Sequence, residues 1–227
     1  MNPHILKATA LSRAFGARNQ VRALRHASLT LDVGERVAVM GASGSGKSTL
    51  LQLIGLLDQP DAGSLALCGR AVCGDGGARL SSSERAHLRL THLGFVFQQH
   101  RLIPYLTVRE NVALPAERLH GNRRRALARA DALLERVGLT RHGDTAAGVL
   151  SLGEAQRAAV ARALINDPKL VLADEPTGAL DSQSATTTLA LLTELTLGAA
   201  LLLVTHDPHI AASAHRTLRM TDGELSA

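Results

Sequence analysis

The chain has 227 residues, of which 45% are apolar and 20% charged, and these ordinary globular values exclude a disordered or collagen-like chain. Its formal net charge is +5, carried by 22 arginines and only three lysines. Three phenylalanines and one tyrosine are too few for a row of stacking rings, which argues against a single-stranded nucleic acid as partner.

The first third of the chain is predicted to contain short strands around one helix. Residues 1–16 lack the apolar core and cleavage site of a secretion signal. Residues 28–40 indicate two strands joined by a turn, because apolar residues alternate and then run into a glycine-rich loop. A helix is expected over 47–54 and a strand over 63–67, and the glycine- and serine-rich residues 74–83 are expected to form a loop.

The middle of the chain, residues 99–166, is predicted to be mostly helical. Thr107 and Ser151 each stand three residues before a glutamate, which is the pattern of a capping box at the start of a helix. Residues 122–137 are rich in alanine, leucine and arginine, and Gly138 follows where a helix commonly ends. No apolar run approaches the roughly 18 residues of a membrane-spanning helix.

The last third is predicted to alternate strands and helices. Residues 170–173 and 200–205 are continuously apolar, as parallel strands are when both of their faces are covered. A helix is expected over 182–195 between them, and residues 216–225 are predicted to form a terminal hairpin. The alternation indicates an α/β protein.

The strongest functional signal is the segment Gly41-Ala42-Ser43-Gly44-Ser45-Gly46-Lys47-Ser48, which matches the phosphate-binding loop pattern between a strand and a helix. Glycines let the backbone curl until its N–H groups point at phosphates, and the following helix start adds positive partial charge. Lys47 is expected to reach the β- and γ-phosphates, and the Ser48 hydroxyl is expected to bind Mg²⁺. The alternative is an ordinary glycine-rich turn, which both ends of the motif and its flanks disfavour.

Two carboxylates and a histidine follow two of the predicted strands. Asp174 and Glu175 end the apolar run, where Asp174 could help to hold Mg²⁺ and Glu175 could activate a water as general base. His206 follows the strand 200–205, and because neighbouring parallel strands end at one edge, it could approach the same γ-phosphate. Taken alone, each would be an ordinary loop residue. The phosphate-binding loop upstream favours the functional interpretation.

With these elements placed, residues 5–226 resemble the nucleotide-binding subunit of an ATP-binding cassette (ABC) transporter. The motifs that carry the resemblance are the phosphate-binding loop 41–48, Phe97-Gln98-Gln99, the segment 150–154, the segment 173–181 and Thr205-His206-Asp207. Residues 106–115, and residues 173–178 together with 180–181, are further similar to the branch with lipoprotein-release and macrolide-export ATPases. A cell-division ATPase shares part of that pattern.

The resemblance implies an α/β P-loop NTPase fold, with a RecA-like core sheet, an N-terminal antiparallel β-subdomain and an inserted α-helical subdomain. Residues 1–98 and 167–227 are expected to form the nucleotide-binding core of a single ABC ATPase domain, and residues 99–166 the helical subdomain. Two subunits are expected to pair head to tail, as a homodimer or pseudo-dimer, around two ATP molecules. Each ATP would meet the phosphate-binding loop of one copy and the signature segment 150–154 of the other.

The resemblance also assigns roles to single residues. Gln98 would link the Mg²⁺ site to the helical subdomain, Asp181 would lie at the dimer seam, and Phe15 would stack on adenine unless it is a plain core ring. The residues expected to bind ATP are Phe15, Gly41, Ser43, Gly44, Ser45, Gly46, Lys47, Ser48, Thr49, Ser151, Gly153, Glu154 and Asp181. Those expected to act in catalysis are Lys47, Gln98, Glu175 and His206, and those expected to hold Mg²⁺ are Ser48, Gln98 and Asp174.

The function that the resemblance implies is ATP binding and hydrolysis that powers a separate integral membrane permease. The task could be export, lipoprotein or lipid extraction, or mechanotransmission, with a periplasmic adaptor or carrier reached through the permease and no nucleic acid bound. The subunit would lie peripherally at the cytoplasmic face of the inner or plasma membrane. The alternatives are an ATP-gated, low-turnover scaffold of the cell-division type and a soluble ABC ATPase acting on DNA or ribosomes, which only the positive charge favours.

Two positions depart from the family pattern, in which the signature usually reads L-S-G-G-[QE]. Leu152 replaces a glycine; a leucine that points away from the nucleotide would pack at the helix start, and one that points inward would impede closure and slow turnover. Ala155 stands where a polar residue is more usual and is compatible with a helix. Slow but real hydrolysis is therefore expected.

Positive charge is concentrated in residues 118–141, which carry seven arginines and two acidic residues and therefore a net charge of +5. A solvated helix face accounts for such a block. The alternative is a face that meets acidic lipid headgroups or an acidic partner surface.

Overall fold

A computed structural model describes residues 4–16, 21–74 and 80–226. The elements in chain order are β1 (His4–Phe15), β2 (Val21–Asp32), β3 (Arg36–Met40), α1 (Lys47–Ile54), β4 (Ala62–Leu67), β5 (Arg70–Cys73), α2 (Ser82–His92), β6 (Leu93–Val96), α3 (Val108–His120), α4 (Arg123–Arg136), α5 (Leu152–Leu164), β7 (Leu170–Asp174), α6 (Ser182–Leu195), β8 (Ala200–Thr205), α7 (Pro208–Ala211), β9 (Arg216–Thr221) and β10 (Glu224–Ser226). Two short 3-10 helices, Thr140–His142 and Ala147–Val149, precede α5.

The chain divides into two compact units. The first unit comprises the described residues within Met1–Arg89 and Gly198–Ala227, and the second comprises Leu90–Leu197. The predicted subdomain boundaries at 98/99 and 166/167 stay a prediction.

The first unit contains an antiparallel sheet in the order β2-β1-β4-β5. Alternating side chains of β1 and β2 point inward, and Leu6, Leu11 and Leu31 have no exposed surface. This alternation is what an antiparallel sheet with one covered face requires.

The same unit holds β3 between β8 and β9, all three parallel, with β10 returning antiparallel along β9. The inner positions of β3 and β8 are almost completely buried, which explains their continuous apolar sequence. The predicted strand 200–205 and the terminal hairpin are confirmed. The segment between β3 and α1 contains the predicted phosphate-binding loop, and α1 begins and ends where predicted.

The second unit is built around α5, which packs against α3, α4, α6 and the strand β6. Nine of its thirteen residues are buried, and five of those nine are alanines, so neighbouring helices can approach closely. The strands β6 and β7 pair in parallel. Both predicted capping boxes are present, since Thr107 and Ser151 exchange hydrogen bonds with Glu110 and Glu154.

The helix α2 was not indicated by the sequence interpretation, and the predicted loop over 74–83 is wrong at its C-terminal end. Residues 75–79 of that prediction lie outside the described residues. Ser81 and Glu84 form a further capping box, with the Glu84 N–H donating to Ser81 Oγ at 3.2 Å and the Ser81 N–H to Glu84 Oε2 at 3.0 Å. A serine three residues before a glutamate is the signal that could have found this helix. None of the helices in the described residues is long and apolar enough to cross a membrane.

Candidate functional site

The side chain of Lys47 bridges the start and the end of the phosphate-binding loop in the first unit. Lys47 is the first residue of α1, and its side chain turns back into the loop with only 8% of the residue exposed. The ammonium Nζ donates hydrogen bonds to the carbonyl oxygens of Gly41 and Ala42, both at 2.8 Å. A buried cation at the N-terminus of a helix is suited to bind an anion, because the N-terminus contributes its own positive partial charge.

Two glycines of the loop lie where no side chain could fit. A Cβ on Gly41 would come within 2.3 Å of the Met220 carbonyl oxygen, and one on Gly46 within 2.3 Å of the Ala23 carbonyl oxygen. Gly46 also has φ = 108°, which only glycine adopts without strain. The loop therefore lies directly against backbone of β2 and β9, and its curled shape is fixed by that close approach.

The loop and His206 line one cavity of about 540 Å³. Residues 40–45, His206 and residues 219–222 form its wall. Inside the loop, the buried Ser45 Oγ has no hydrogen-bond partner among the described residues, while the Ser45 carbonyl accepts from the Gly223 N–H at 2.9 Å. The structure thus brings His206 to the loop, and a polar atom without a partner lies within the loop where phosphate oxygens are predicted.

The other predicted ATP-binding positions of this unit lie in the loop itself, at the start of α1 and at Phe15 in β1. Ser43, Gly44 and Ser48 are exposed, and Thr49 is half-buried in the first turn of α1. Phe15 is 41% exposed, so it is not a plain core ring. The Arg13 guanidinium lies 4.8 Å from the centre of its ring, while Arg13 is itself held by Asp58 at 2.9 Å. An exposed ring steadied from one side can still offer a face for stacking.

The second unit brings Gln98 and Glu175 together. A Cβ on Gly178 would lie 3.4 Å from Gln98 Nε2 and 3.6 Å from Glu175 Cβ, so the amide and the carboxylate residue flank the same glycine. Glu175 has φ = 45°, a left-handed conformation that costs a non-glycine residue about 1–3 kcal/mol. The turn is closed by the Gly178 N–H, which donates to the Glu175 carbonyl at 3.1 Å. The turn therefore fixes the backbone from which the Glu175 side chain extends.

The predicted Mg²⁺ ligands suit that ion by their chemistry. Asp174 is half-buried at the end of β7, Gln98 is exposed, and Ser48 lies in the first turn of α1. Their donors are a carboxylate, an amide and a hydroxyl oxygen, and Mg²⁺ is usually held by one or two carboxylates together with substrate phosphates. The described residues contain no cluster of three or more His, Cys, Asp or Glu that could hold a metal by itself. A carboxylate, an amide and a hydroxyl oxygen are donors that fit Mg²⁺ when phosphate oxygens complete its ligands.

The signature segment forms the start of α5. Ser151 caps the helix and donates from Oγ to Glu154 Oε2 at 2.6 Å, and this hydrogen bond together with that of the Ser151 N–H lowers the pKa of Glu154. The His142 imidazole lies 3.3 Å from Glu154 Oε1, a contact that sequence spacing did not indicate. Leu152 at the first helical position is 58% exposed, so it does not pack into the helix start.

Gly153 has a packing role beyond its predicted contact with ATP. A Cβ at this position would come within 2.8 Å of Ser184 Oγ and 3.1 Å of Ser184 Cβ, on α6. Asp181 caps the same helix, accepting from the N–H groups of Gln183 and Ser184 at 3.1 and 3.0 Å. These bonds, the one from Ser184 foremost, lower the pKa of Asp181. Asp181 is exposed, and its place at a dimer seam stays a prediction.

Comparison with known proteins identifies relatives along the whole chain. A model of the ABC transporter family matches residues 24–178. The chain is 45% identical over 225 residues to the lipoprotein-releasing system ATP-binding protein LolD of Shewanella denitrificans, a match that covers 98% of this chain and 94% of that protein. It is 46% identical over 231 residues to the macrolide export ATP-binding/permease protein MacB 1 of Aeromonas hydrophila.

The two kinds of relative differ in length. The match to MacB 1 covers all of this chain but 35% of that protein, so the chain spans about a third of the length of the macrolide export relatives. A solved structure with the same fold is a dimeric, post-hydrolysis ATP-binding cassette bound to ADP and Pi. It has a TM-score of 0.89 and 36% sequence identity, over 98% of this chain and 97% of that one.

Proposed function

The chain belongs to the ABC transporter family, and from that premise we propose that its ATP binding and hydrolysis drive a membrane permease. It has the α/β fold of P-loop NTPases and is an ABC ATPase. The observation that carries the proposal is the extent of the similarity to LolD, which spans almost the full length of a protein named as the ATP-binding part of a lipoprotein-releasing system. Export, lipoprotein or lipid extraction, and mechanotransmission are the tasks such a permease would perform, through a periplasmic adaptor or carrier where one is present.

The residues of the first unit supply binding and charge neutralisation. Lys47 and the backbone N–H groups of the phosphate-binding loop hold the ATP phosphates and offset the charge that develops during transfer. His206, which lines the same cavity as the loop, donates a hydrogen bond to the γ-phosphate. Phe15 stacks on the adenine ring.

The residues of the second unit activate and orient the water that attacks the γ-phosphate. The Glu175 carboxylate accepts a proton from the water that attacks the γ-phosphorus atom in line with the departing ADP oxygen. Gln98, beside the same turn, orients that water. Ser48, Gln98 and Asp174 are the residues that would hold Mg²⁺, which when bound would supply positive charge to offset that of the phosphates.

The proposed working unit is a head-to-tail homodimer at the cytoplasmic face of the membrane. Ser151, Gly153 and Glu154 of one copy meet the ATP held by the other, and Asp181 lies at the seam. ATP then favours the closed dimer and hydrolysis reopens it, because the closed state binds ATP more tightly than it binds ADP. The dimeric form of the related cassette supports dimerisation.

The proposal is tested by Glu175→Gln, with Glu194→Gln on the exposed face of α6 as the matched control. We expect Glu175→Gln to lower phosphate release by about 100-fold or more, since it removes the general base. Light scattering should show an ATP-dependent dimer for this variant, and Lys47→Ala should abolish that dimer. Wild-type turnover in Glu175→Gln would contradict the mechanism, and ATP-dependent dimerisation without any wild-type hydrolysis would favour the low-turnover scaffold instead.

A further inference from the structure

The segment that carries Gln98 is held at both ends by side chains of α5, the helix that begins with the signature. Before Gln98, the Gln156 Nε2 donates to the Phe97 carbonyl at 3.0 Å. After it, the Arg162 guanidinium donates to the carbonyls of His100 and Arg101, both at 2.7 Å. Gln156 and Arg162 are six residues apart, which is about 9 Å along the helix, so two separate points on α5 grip the segment.

Gln156 is buried and Arg162 is half-buried, and neither is held by an ion pair among the described residues. Gln156 is 2% exposed. Burial lowers the pKa of Arg162 to about 10, and within the described residues its guanidinium is held by carbonyl oxygens and by no carboxylate. A buried cation is costly unless it is well hydrogen-bonded, so the two short bonds to the segment are what keeps Arg162 in place.

The anchored segment is stiffened from within. The Arg101 guanidinium lies 4.3 Å from the centre of the Phe97 ring, so residues before and after Gln98 and Gln99 in sequence are in contact. The Phe97 ring in turn stacks on Phe95 of β6, with ring centres 5.6 Å apart. A displacement of Gln156 or Arg162 would therefore move the backbone of Gln98, because these ring contacts limit the flexibility of the segment.

We infer that Gln156 and Arg162 are positioning residues that tie Gln98 to the signature helix of its own chain. They hold the backbone on both sides of Gln98, whose side-chain amide lies beside Gly178 and Glu175. This inference rests on the proposed function, because it assumes that Gln98 acts on the ATP bound to its own chain.

The test uses Gln156→Met, which removes the donor at nearly constant volume, and Arg162→Lys, whose shorter side chain has one nitrogen where two guanidinium nitrogens now donate to the carbonyls of His100 and Arg101 and should therefore weaken both bonds. Arg157→Lys is the matched control, since Arg157 lies on the same helix and donates to a carbonyl at 3.1 Å, that of Val137 at the end of α4. The first readout is hydrogen exchange of residues 98–103 without nucleotide. We expect faster exchange there in both variants and unchanged exchange in the control.

The second readout separates positioning from general damage. We expect both variants to lower kcat by about tenfold or more, as displaced catalytic groups do, while KM for ATP stays within about twofold. The Mg²⁺ concentration for half-maximal turnover should rise in the variants and not in the control. Faster exchange with an unchanged kcat, or an equal loss of kcat in Arg157→Lys, would overturn the inference alone. A wild-type chain without any hydrolysis would overturn the proposed function and this inference with it.

Discussion

Substituting alanine for Gly46 tests whether the phosphate-binding loop is shaped by its contact with β2. The conformation of Gly46 is left-handed at φ = 108°, and that of Gly44 in the same loop is left-handed at φ = 78°. A Cβ on Gly46 would lie 2.3 Å from the Ala23 carbonyl oxygen, whereas a Cβ on Gly44 would have no atom within 4 Å. Gly44→Ala is therefore a matched control that introduces the backbone strain without the close contact.

The expected difference in Tm follows from two energetic costs, that of the left-handed backbone and that of the close contact. Left-handed backbone costs an alanine roughly 1–2 kcal/mol, and both variants lose that much. Ordinary contact begins near 3.4 Å, so Gly46→Ala must also move the loop and β2 apart by about 1 Å. Overpacking of this kind costs about 1–3 kcal/mol, which for a chain of this size corresponds to a Tm roughly 2–12 °C below that of Gly44→Ala.

The assay is thermal unfolding of the nucleotide-free protein, followed by far-ultraviolet circular dichroism. The absence of nucleotide matters, because Gly44 and Gly46 are both predicted to contact ATP and a bound ligand would raise Tm by mass action. Equal Tm values for the two variants would refute the reasoning, since they would show that contact with β2 does not hold the loop.

Two further predictions concern exposed side chains. Leu152 is 58% exposed in the signature segment, where it can impede closure on the nucleotide, so Leu152→Gly should raise the rate of phosphate release by about tenfold, or ~1.4 kcal/mol in the barrier. Val149, which is 74% exposed just before that segment, is the control, and Val149→Gly should leave the rate unchanged. A Leu152→Gly variant no faster than the parent would show that Leu152 does not restrain turnover. In the basic block, Arg123 is held by Glu110 and Glu117 at 2.6 and 3.0 Å, whereas Arg124 and Arg125 have no ion pair among the described residues. Reversing Arg124 and Arg125 to glutamate should weaken association with the permease or with anionic vesicles by about 1 kcal/mol per charge in a co-sedimentation assay, and unchanged association would favour the solvated face.

Local chemistry decided much of the secondary structure, which is why the sequence could predict it. The helices α1 and α6 and the strand β8 have the predicted bounds. Asn122 caps α4, and Gly138 follows that helix with φ = 70°, as its position suggested. The sequence interpretation does not find α2 because the helix is strongly polar, with Leu88 as its buried residue, and because its cap at Ser81 falls within the predicted loop.

The sequence by itself determined the family, the phosphate-binding loop and the residue types of the site, because these depend on contiguous motifs whose chemistry works over a few residues. Only the tertiary structure decided which distant backbone and side chains hold those motifs in place. Gly46 lies against Ala23, Gly153 against Ser184, and the segment of Gln98 is gripped by Arg162. These pairs are 23 to 64 residues apart, and no spacing rule relates them. Their contacts follow from how helices and strands pack, so the positioning of the site was settled by the fold rather than by the motifs.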